Sequence, residues 1–227
     1  MSETRKPVIG VVGGTGQEGG GLALRWANAG YRVIIGSRSA ERAQDAAAEL
    51  NALLGRDGLE AGANTDVAAQ SDIVVLSVPY AAQKPTAADI ATQLEGKILI
   101  DVTVPLMPPK VSRVQLPEGG SAVQALQEAL GPGVRVVSAF QNVSAHHLKE
   151  LDHAPACDVL VCSDDADAAD QTIALAEAIG MTAWHAGPLA NSAASEALTS
   201  VLIALNRRYK VSATGIRITG MPDKASS

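Results

Sequence analysis

The chain is short of aromatic residues, cysteine, basic charge and long apolar runs, and each shortage narrows what it can be. Only one Phe, three Tyr and two Trp occur among its 227 residues. An aromatic-rich binding surface is therefore disfavoured, while plentiful alanine and 21 glycines suit close packing of helices on a sheet. The two cysteines, Cys157 and Cys162, fall at an odd separation in one predicted strand, so they face opposite sides and read as separate, reduced, buried thiols. Neither joins His146, His147, His153 or His185 in a spacing that would hold a metal, so no metal site is expected. A net charge of −6 leaves no basic face for nucleic acid. The polar start Met1–Lys6 lacks the apolar core of a secretory leader, and no apolar run reaches bilayer length. The expectation is a cytoplasmic protein with neither membrane nor nucleic acid as partner.

What the chain has in abundance is material for a core, with 47% hydrophobic and 19% charged residues. That suffices for one large domain or two small ones. The most informative stretch begins as an apolar strand, Val8 to Val12, and breaks into Gly13-Gly14-Thr15-Gly16-Gln17-Glu18-Gly19. A helix then follows, with Leu22, Trp26 and Ala29 at helical spacing and Gly30 as its stop. A strand, a glycine turn and a helix in that order form a phosphate cradle. Gly14 gives the tight turn, Gly16 lets backbone approach a pyrophosphate, and Gly19 lets helix pack on strand. The first helical amides, from Thr15 through Gln17 and Glu18, face the anion.

The next strand, Tyr31 to Gly36, ends in Ser37-Arg38. A fold selective for NAD places an acid there for the ribose 2′-hydroxyl, and this chain has none. Arg38 can instead pair with a 2′-phosphate through its planar fork, with Ser37 donating a second bond and Arg42 as a further candidate. The expected dinucleotide is NADP(H). The competing reading is an exposed loop arginine beside a helix that Ser39 caps.

Strands and helices continue to alternate. A helix from Ser39 to about Leu54, a glycine-rich connection, and a short helix capped by Asn64-Thr65-Asp66 precede the buried strand Asp72–Val78. A helix through about Gln93, the strand Lys97–Asp101, a proline-interrupted loop at 104–109, a helix at 122–130 and the strand Gly133–Ala139 follow. The pattern predicts an α/β fold of Rossmann type with a doubly wound parallel sheet. Its ligand crevice lies beyond the carboxyl ends of the strands, where Val78, Pro79, Ala139 and Gln141 fall. Residues 1–142 read as the dinucleotide-binding domain. Residues 143–227 read as a smaller α/β domain with a strand from Cys157, a helix to Gly180, a strand near Trp184 and a helix from 191 to 209. Asp164-Asp165 reads as a helix cap rather than a paired-carboxylate site.

The run from Gly13 to Arg25, together with Ile35-Gly36-Ser37-Arg38, resembles the NADPH-dependent reductases of the deazaflavin coenzyme F420. Val137–Phe140, Val161–Asp165 and Ala186–Ser192 extend the resemblance, in order, over nearly the whole chain. It implies a homodimer that moves a hydride reversibly between NADP(H) and coenzyme F420. It also implies that Thr15, Ser37 and Arg38 bind NADP, and that Gln141 and Thr199 line the deazaflavin site, with the smaller domain serving the acceptor and the dimer interface. The chain departs from archaeal members at Gln141, Ala193 and Ala197, which stand where those carry histidine, arginine and serine.

Hydride transfer between two such rings needs alignment rather than a nucleophile or general acid, in keeping with a crevice of few ionisable groups. Gln141 can serve a ring carbonyl of the acceptor, or it can simply bond local backbone. Two other functions remain open at this level. One is an NADPH-dependent reductase of a flavin, ferric chelate, or small imine or carbonyl compound, although a ketone would need a proton donor and only Tyr80 stands near. The other is a non-catalytic NADPH sensor that signals through its dimer surface.

Overall fold

The structure is a computed structural model that describes residues 5–221, so the first four residues of the polar start lie outside the described residues. Strand β1 (Ile9–Val12) leads into helix α1 (Gln17–Asn28), and β2 (Val33–Ser37) into α2 (Ala40–Leu54). Next come β3 (Leu59–Ala63), α3 (Asn64–Gln70), β4 (Ile73–Leu76), and the consecutive helices α4 (Tyr80–Asp89) and α5 (Ala91–Leu94). Strand β5 (Ile98–Asp101), helix α6 (Ala122–Leu130) and strand β6 (Arg135–Ser138) complete the first part. The second part holds β7 (Asp158–Ser163), α7 (Ala166–Glu177), β8 (Thr182–His185) and α8 (Ser192–Tyr209).

All eight strands form one sheet in the order β3-β2-β1-β4-β5-β6-β7-β8. Every pairing is parallel except that of β6 with β7. The central strands read as continuous apolar runs because both faces of the sheet are covered. Ile9, Val11, Ile73, Val75, Ile98 and Ile100 join the core under α1 and α7, while Val12, Val74, Leu76 and Leu99 turn to the other core under α4 and α6. The chain order reverses between β1 and β4, and that reversal opens the crevice at the switch point.

Two local expectations change. Leu59-Glu60-Ala61-Gly62-Ala63 is no glycine-rich connection but edge strand β3, paired with β2 from Val33↔Leu59 to Ser37↔Ala63. Only its first residue is buried, so it lacks an apolar pattern. Asn64 likewise does not cap α3 with its side chain; Ala63 holds the cap position.

Residues after 142 add β7 and β8 to the same sheet, beyond the one antiparallel pairing. Helix α1 ties both parts together. Arg25 is buried and donates from Nε to Leu148 O at 2.8 Å, and from Nη2 to the carbonyls of His147, Glu150 and His153 at 2.8–3.0 Å. Trp26 donates to Leu175 O at 2.9 Å and meets Phe140 edge-on, with ring centroids 5.8 Å apart.

Candidate dinucleotide and acceptor site

The turn after β1 is built by glycines with different duties. Gly13 carries a left-handed backbone, φ +75°, which glycine adopts without steric cost. Gly14 donates its N–H to Val11 O and Gly36 O, and a Cβ there would stand 2.7 Å from Val11 O. At Gly19 a Cβ would stand 2.8 Å from Ser77 Oγ, so this glycine lets α1 close onto the end of β4. Gly16 differs, because the nearest atom to a Cβ there is Gly13 O at 3.8 Å. Nothing in the protein itself demands glycine at 16. Thr15, Gly16 and Gln17 are exposed at the rim, and the space beside them suits the close approach of a phosphate.

The end of β2 lies beside this turn, through the Gly14 N–H to Gly36 O bond. Ser37 is buried, its Oγ accepting from Ser39 N at 3.3 Å, and Ser39 caps α2 by accepting from Arg42 N. Arg38 and Arg42 are exposed, and neither guanidinium has a hydrogen-bond or ion-pair partner among the described residues. Contrast Arg32 at the other end of β2, clasped by Glu60 at 2.6 and 2.8 Å. Two uncommitted cations next to a phosphate cradle, with no carboxylate at the strand end, form the recognition pattern of a 2′-phosphate.

Beyond β4, Val78 is half-buried and Pro79 exposed at the mouth of the crevice. Behind them lies a polar floor for which the motifs gave no warning. Asp101, fully buried at the end of β5, accepts from Thr103 N at 2.8 Å and from the Gln83 amide, while its carbonyl accepts from Gln141 Nε2 at 2.7 Å. Burial pushes the Asp101 carboxyl above the usual range. Glu18, in the first turn of α1, is pushed up to about 8, by burial first and by Asp101 second. Glu196 on α8 is also raised, mainly by burial, although Ser121 Oγ, Ala122 N and Val123 N all donate to it at 2.7–3.2 Å. Three polar atoms of this floor, Gln83 Oε1, Ser138 Oγ and Gln141 Oε1, are buried without a hydrogen-bond partner. The legible hints were an aspartate closing the apolar run Ile98-Leu99-Ile100, and the buried stripe Ser192, Ser195, Glu196, Ser200 along α8.

Gln141 and Thr199 meet: Thr199 Oγ1 donates to Gln141 O at 2.7 Å and accepts from Asn142 Nδ2 at 3.1 Å. With Leu202, Ile203, Asn206 and Thr214 they line a cavity of about 120 Å³. The Gln141 side chain bonds backbone, its amide turned inward to Asp101, which is the simpler of its two expected roles. Ala139 is fully enclosed in the core, and Ala193 and Ala197 are half-buried on α8. Phe140, which follows Ala139, has φ +72°, uncommon for a bulky residue and unmarked in the sequence. Asp165 accepts from Ala168 N as the cap of α7, while Asp164 accepts from Leu189 N. Both cysteines are free and buried.

A glycine turn at the switch point of a doubly wound sheet, with bare cations at the end of the second strand, defines a dinucleotide-binding protein of the NADP type. Residues 8–105 match the family described as NADP oxidoreductase coenzyme F420-dependent. The F420-dependent NADP reductase of Methanothermobacter thermautotrophicus is 45% identical over 223 residues, spanning 95% of this chain and 96% of that protein. That of Methanocaldococcus jannaschii is 41% identical, over 94% and 98% of the two chains. A solved structure from Arthrobacter sp. FB24, described as a candidate F420-dependent NADP reductase, superposes with a TM-score of 0.79 at 25% identity, covering 94% of this chain and all of that one. The chain belongs to the F420-dependent NADP oxidoreductase family.

Proposed function

We propose that this chain transfers a hydride reversibly between NADP(H) and the deazaflavin coenzyme F420. The observation that carries the reading is the nearly full-length likeness to two F420-dependent NADP reductases, and the geometry fits it part by part. The coenzymes supply the chemistry, a hydride passing between the nicotinamide ring and the deazaflavin ring. The protein holds the two reacting carbons about 3–3.5 Å apart, and such positioning lowers a barrier by several kcal/mol.

In this reading Gly14, Thr15, Gly16 and Gln17 receive the pyrophosphate, with Gly19 keeping α1 close enough to present its amides. Ser37, Arg38 and Arg42 hold the 2′-phosphate. Val78 and Pro79 border the nicotinamide, and Gln141 and Thr199 shape the acceptor end, where the departures at Ala193 and Ala197 remove two polar side chains. Residues 1–142 and 143–227 then divide the labour as dinucleotide lobe and acceptor lobe. No described helix is long and apolar enough to cross a membrane. Two diffusible coenzymes and two reduced thiols support a cytoplasmic setting.

A homodimer completes the proposal. Val201, Leu205 and Tyr209 are 43%, 39% and 68% exposed and recur every fourth residue, so they form one apolar stripe on α8. Met107, Val114 and Leu116 are further exposed apolar side chains in the loop after β5, which Arg207 on α8 reaches by donating to Ser112 Oγ at 3.0 Å.

The test is direct. Protein is mixed with NADPH and oxidised F420, and loss of deazaflavin absorbance is followed, then repeated with FMN and FAD. Rapid bleaching of F420 alone is expected. Reduction of another acceptor with no F420 turnover in either direction would overturn the assignment.

A further inference from the structure

The net charge of −6 hides one region of the opposite sign. Residues 102–117 and 197–221 contain no Asp or Glu, yet they hold Lys110, Arg113, Arg207, Arg208, Lys210 and Arg217. The fold joins four of these. Arg113 N donates to Lys110 O at 3.0 Å, closing a turn that contains Ser112, and Gln115 Nε2 braces that turn on Met107 O and Lys110 O. Arg207 donates to Ser112 Oγ at 3.0 Å, so the end of α8 is fastened to the turn between its two cations. Lys210 follows as the C-cap of α8. All four residues are exposed, and none has an acidic partner among the described residues. A cation at a helix C-terminus is favourable in itself, which accounts for Arg207 and Lys210. It does not account for Lys110 and Arg113, which a separate loop brings to the same place.

This patch adjoins the acceptor cavity. Thr199, Leu202, Ile203 and Asn206 line the cavity along one side of α8. Residues four apart on a helix share a side, so Arg207 extends the row of Thr199 and Ile203, and Lys210 extends that of Leu202 and Asn206. From Thr199 to Arg207 the helix advances about 12 Å. The apolar stripe Val201, Leu205, Tyr209 is offset from the first row by two residues, about 200°, and lies on the opposite side of the helix. A contact through that stripe leaves the cationic rows open.

We propose that Lys110, Arg113, Arg207 and Lys210 hold the anionic tail of the deazaflavin, the part beyond the ring and its ribityl chain that carries a phosphodiester and glutamate carboxylates. This rests on the reading of the chain as an F420-dependent reductase with its acceptor ring at Gln141 and Thr199. Ring and tail then have separate sites: a cavity without charged side chains aligns the ring, and an exposed cationic patch attracts the tail. The tail lies away from the reacting carbon and is held equally before and during transfer, so the patch lowers KM for F420 and leaves kcat alone.

The experiment compares oxidised F420 with the same deazaflavin ending at its ribityl chain. Dissociation constants of both are measured by deazaflavin fluorescence on protein loaded with NADP+, at low and at high salt, and turnover of both is followed with NADPH. At low salt F420 should bind about tenfold tighter, since one exposed ion pair is worth at most about fivefold and several act together. High salt should close the gap by screening exposed charges. Lys110→Gln combined with Arg113→Gln should remove most of the gap and raise KM for F420 without lowering kcat. Arg208→Gln, which removes a cation from the other side of α8, should leave the gap intact. Equal affinities for the two deazaflavins at low salt, or a gap indifferent to both salt and the double substitution, would overturn the proposal and leave hydride transfer standing. A salt-dependent gap with no turnover of either deazaflavin would uphold the patch and overturn the hydride-transfer reading.

Discussion

At the scale of single residues, Arg38 and Gly16 separate recognition from folding. The Arg38 guanidinium makes no described contact that folding would lose, so Arg38→Ala should leave thermal stability unchanged. It should weaken NADPH binding by about 1.5–3 kcal/mol, the range for a hydrogen bond to a charged group, with NADH nearly unaffected. Titration with both dinucleotides checks this, and equal losses would remove Arg38 from the 2′-phosphate. For Gly16 the geometry makes a sharper statement. A Cβ there meets no protein atom closer than 3.8 Å, so Gly16→Val should fold normally and yet lose dinucleotide binding. Circular dichroism together with NADPH fluorescence decides it. The same change at Gly19 would collide with Ser77 and confound folding with binding. Phe140 shows the converse dependence, since its strained backbone is held by a ring enclosed against Trp26.

Helix α6 shows how an element depends on distant side chains. Ser121 supplies its local cap, accepting from Gln124 N at 3.0 Å. The next amides, Ala122 N and Val123 N, are served instead by Glu196 from α8. A carboxylate at a helix N-terminus is favoured by hydrogen bonds and by the helix dipole, yet burial acts against its charge. Glu196→Ala strands two buried N–H groups, and the expected loss is about 1–3 kcal/mol for each donor left unpaired. Chemical denaturation monitored on the tryptophans measures it. Helix α1 is anchored in a comparable way, by Arg25 on four backbone carbonyls of the segment between residues 147 and 153. These bonds fasten α1 to the chain that follows β6.

For the whole molecule, the buried acids set how stability varies with pH. Glu18, Asp101 and Glu196 are all raised in the folded chain, so the folded state holds protons that the unfolded state has released. Their contribution is greatest below the ordinary carboxylate value and is lost as pH climbs, for Glu18 through about 8. Asp72, Glu60 and Glu150 are shifted the other way and weaken the fold only in acid. The melting temperature should thus fall from about pH 5 to about pH 8, and calorimetry should show a shallower slope for Glu18→Gln. The apolar stripe on α8 makes a second prediction at this scale. Leu205→Asp should convert the proposed dimer to a folded monomer in analytical ultracentrifugation, since a charge cannot be buried unpaired at an apolar contact.

The sequence by itself determined the alternation of strand and helix, the glycine turn and the cations after β2. Each of these is written in adjacent residues: an apolar run, a turn, a strand end without a carboxylate. It could not reveal β3, an edge strand with little to bury, nor the left-handed backbone of Phe140. The floor of the crevice was equally hidden. Gln83 meets Asp101, Gln141 meets Asp101, and Glu196 meets Ser121 across separations of 18, 40 and 75 residues. Only the closed sheet brings such partners together, because burial removes the water that would otherwise satisfy them. The glycine turn and its neighbouring cations were decided along the chain, and the polar floor of the crevice was decided by packing.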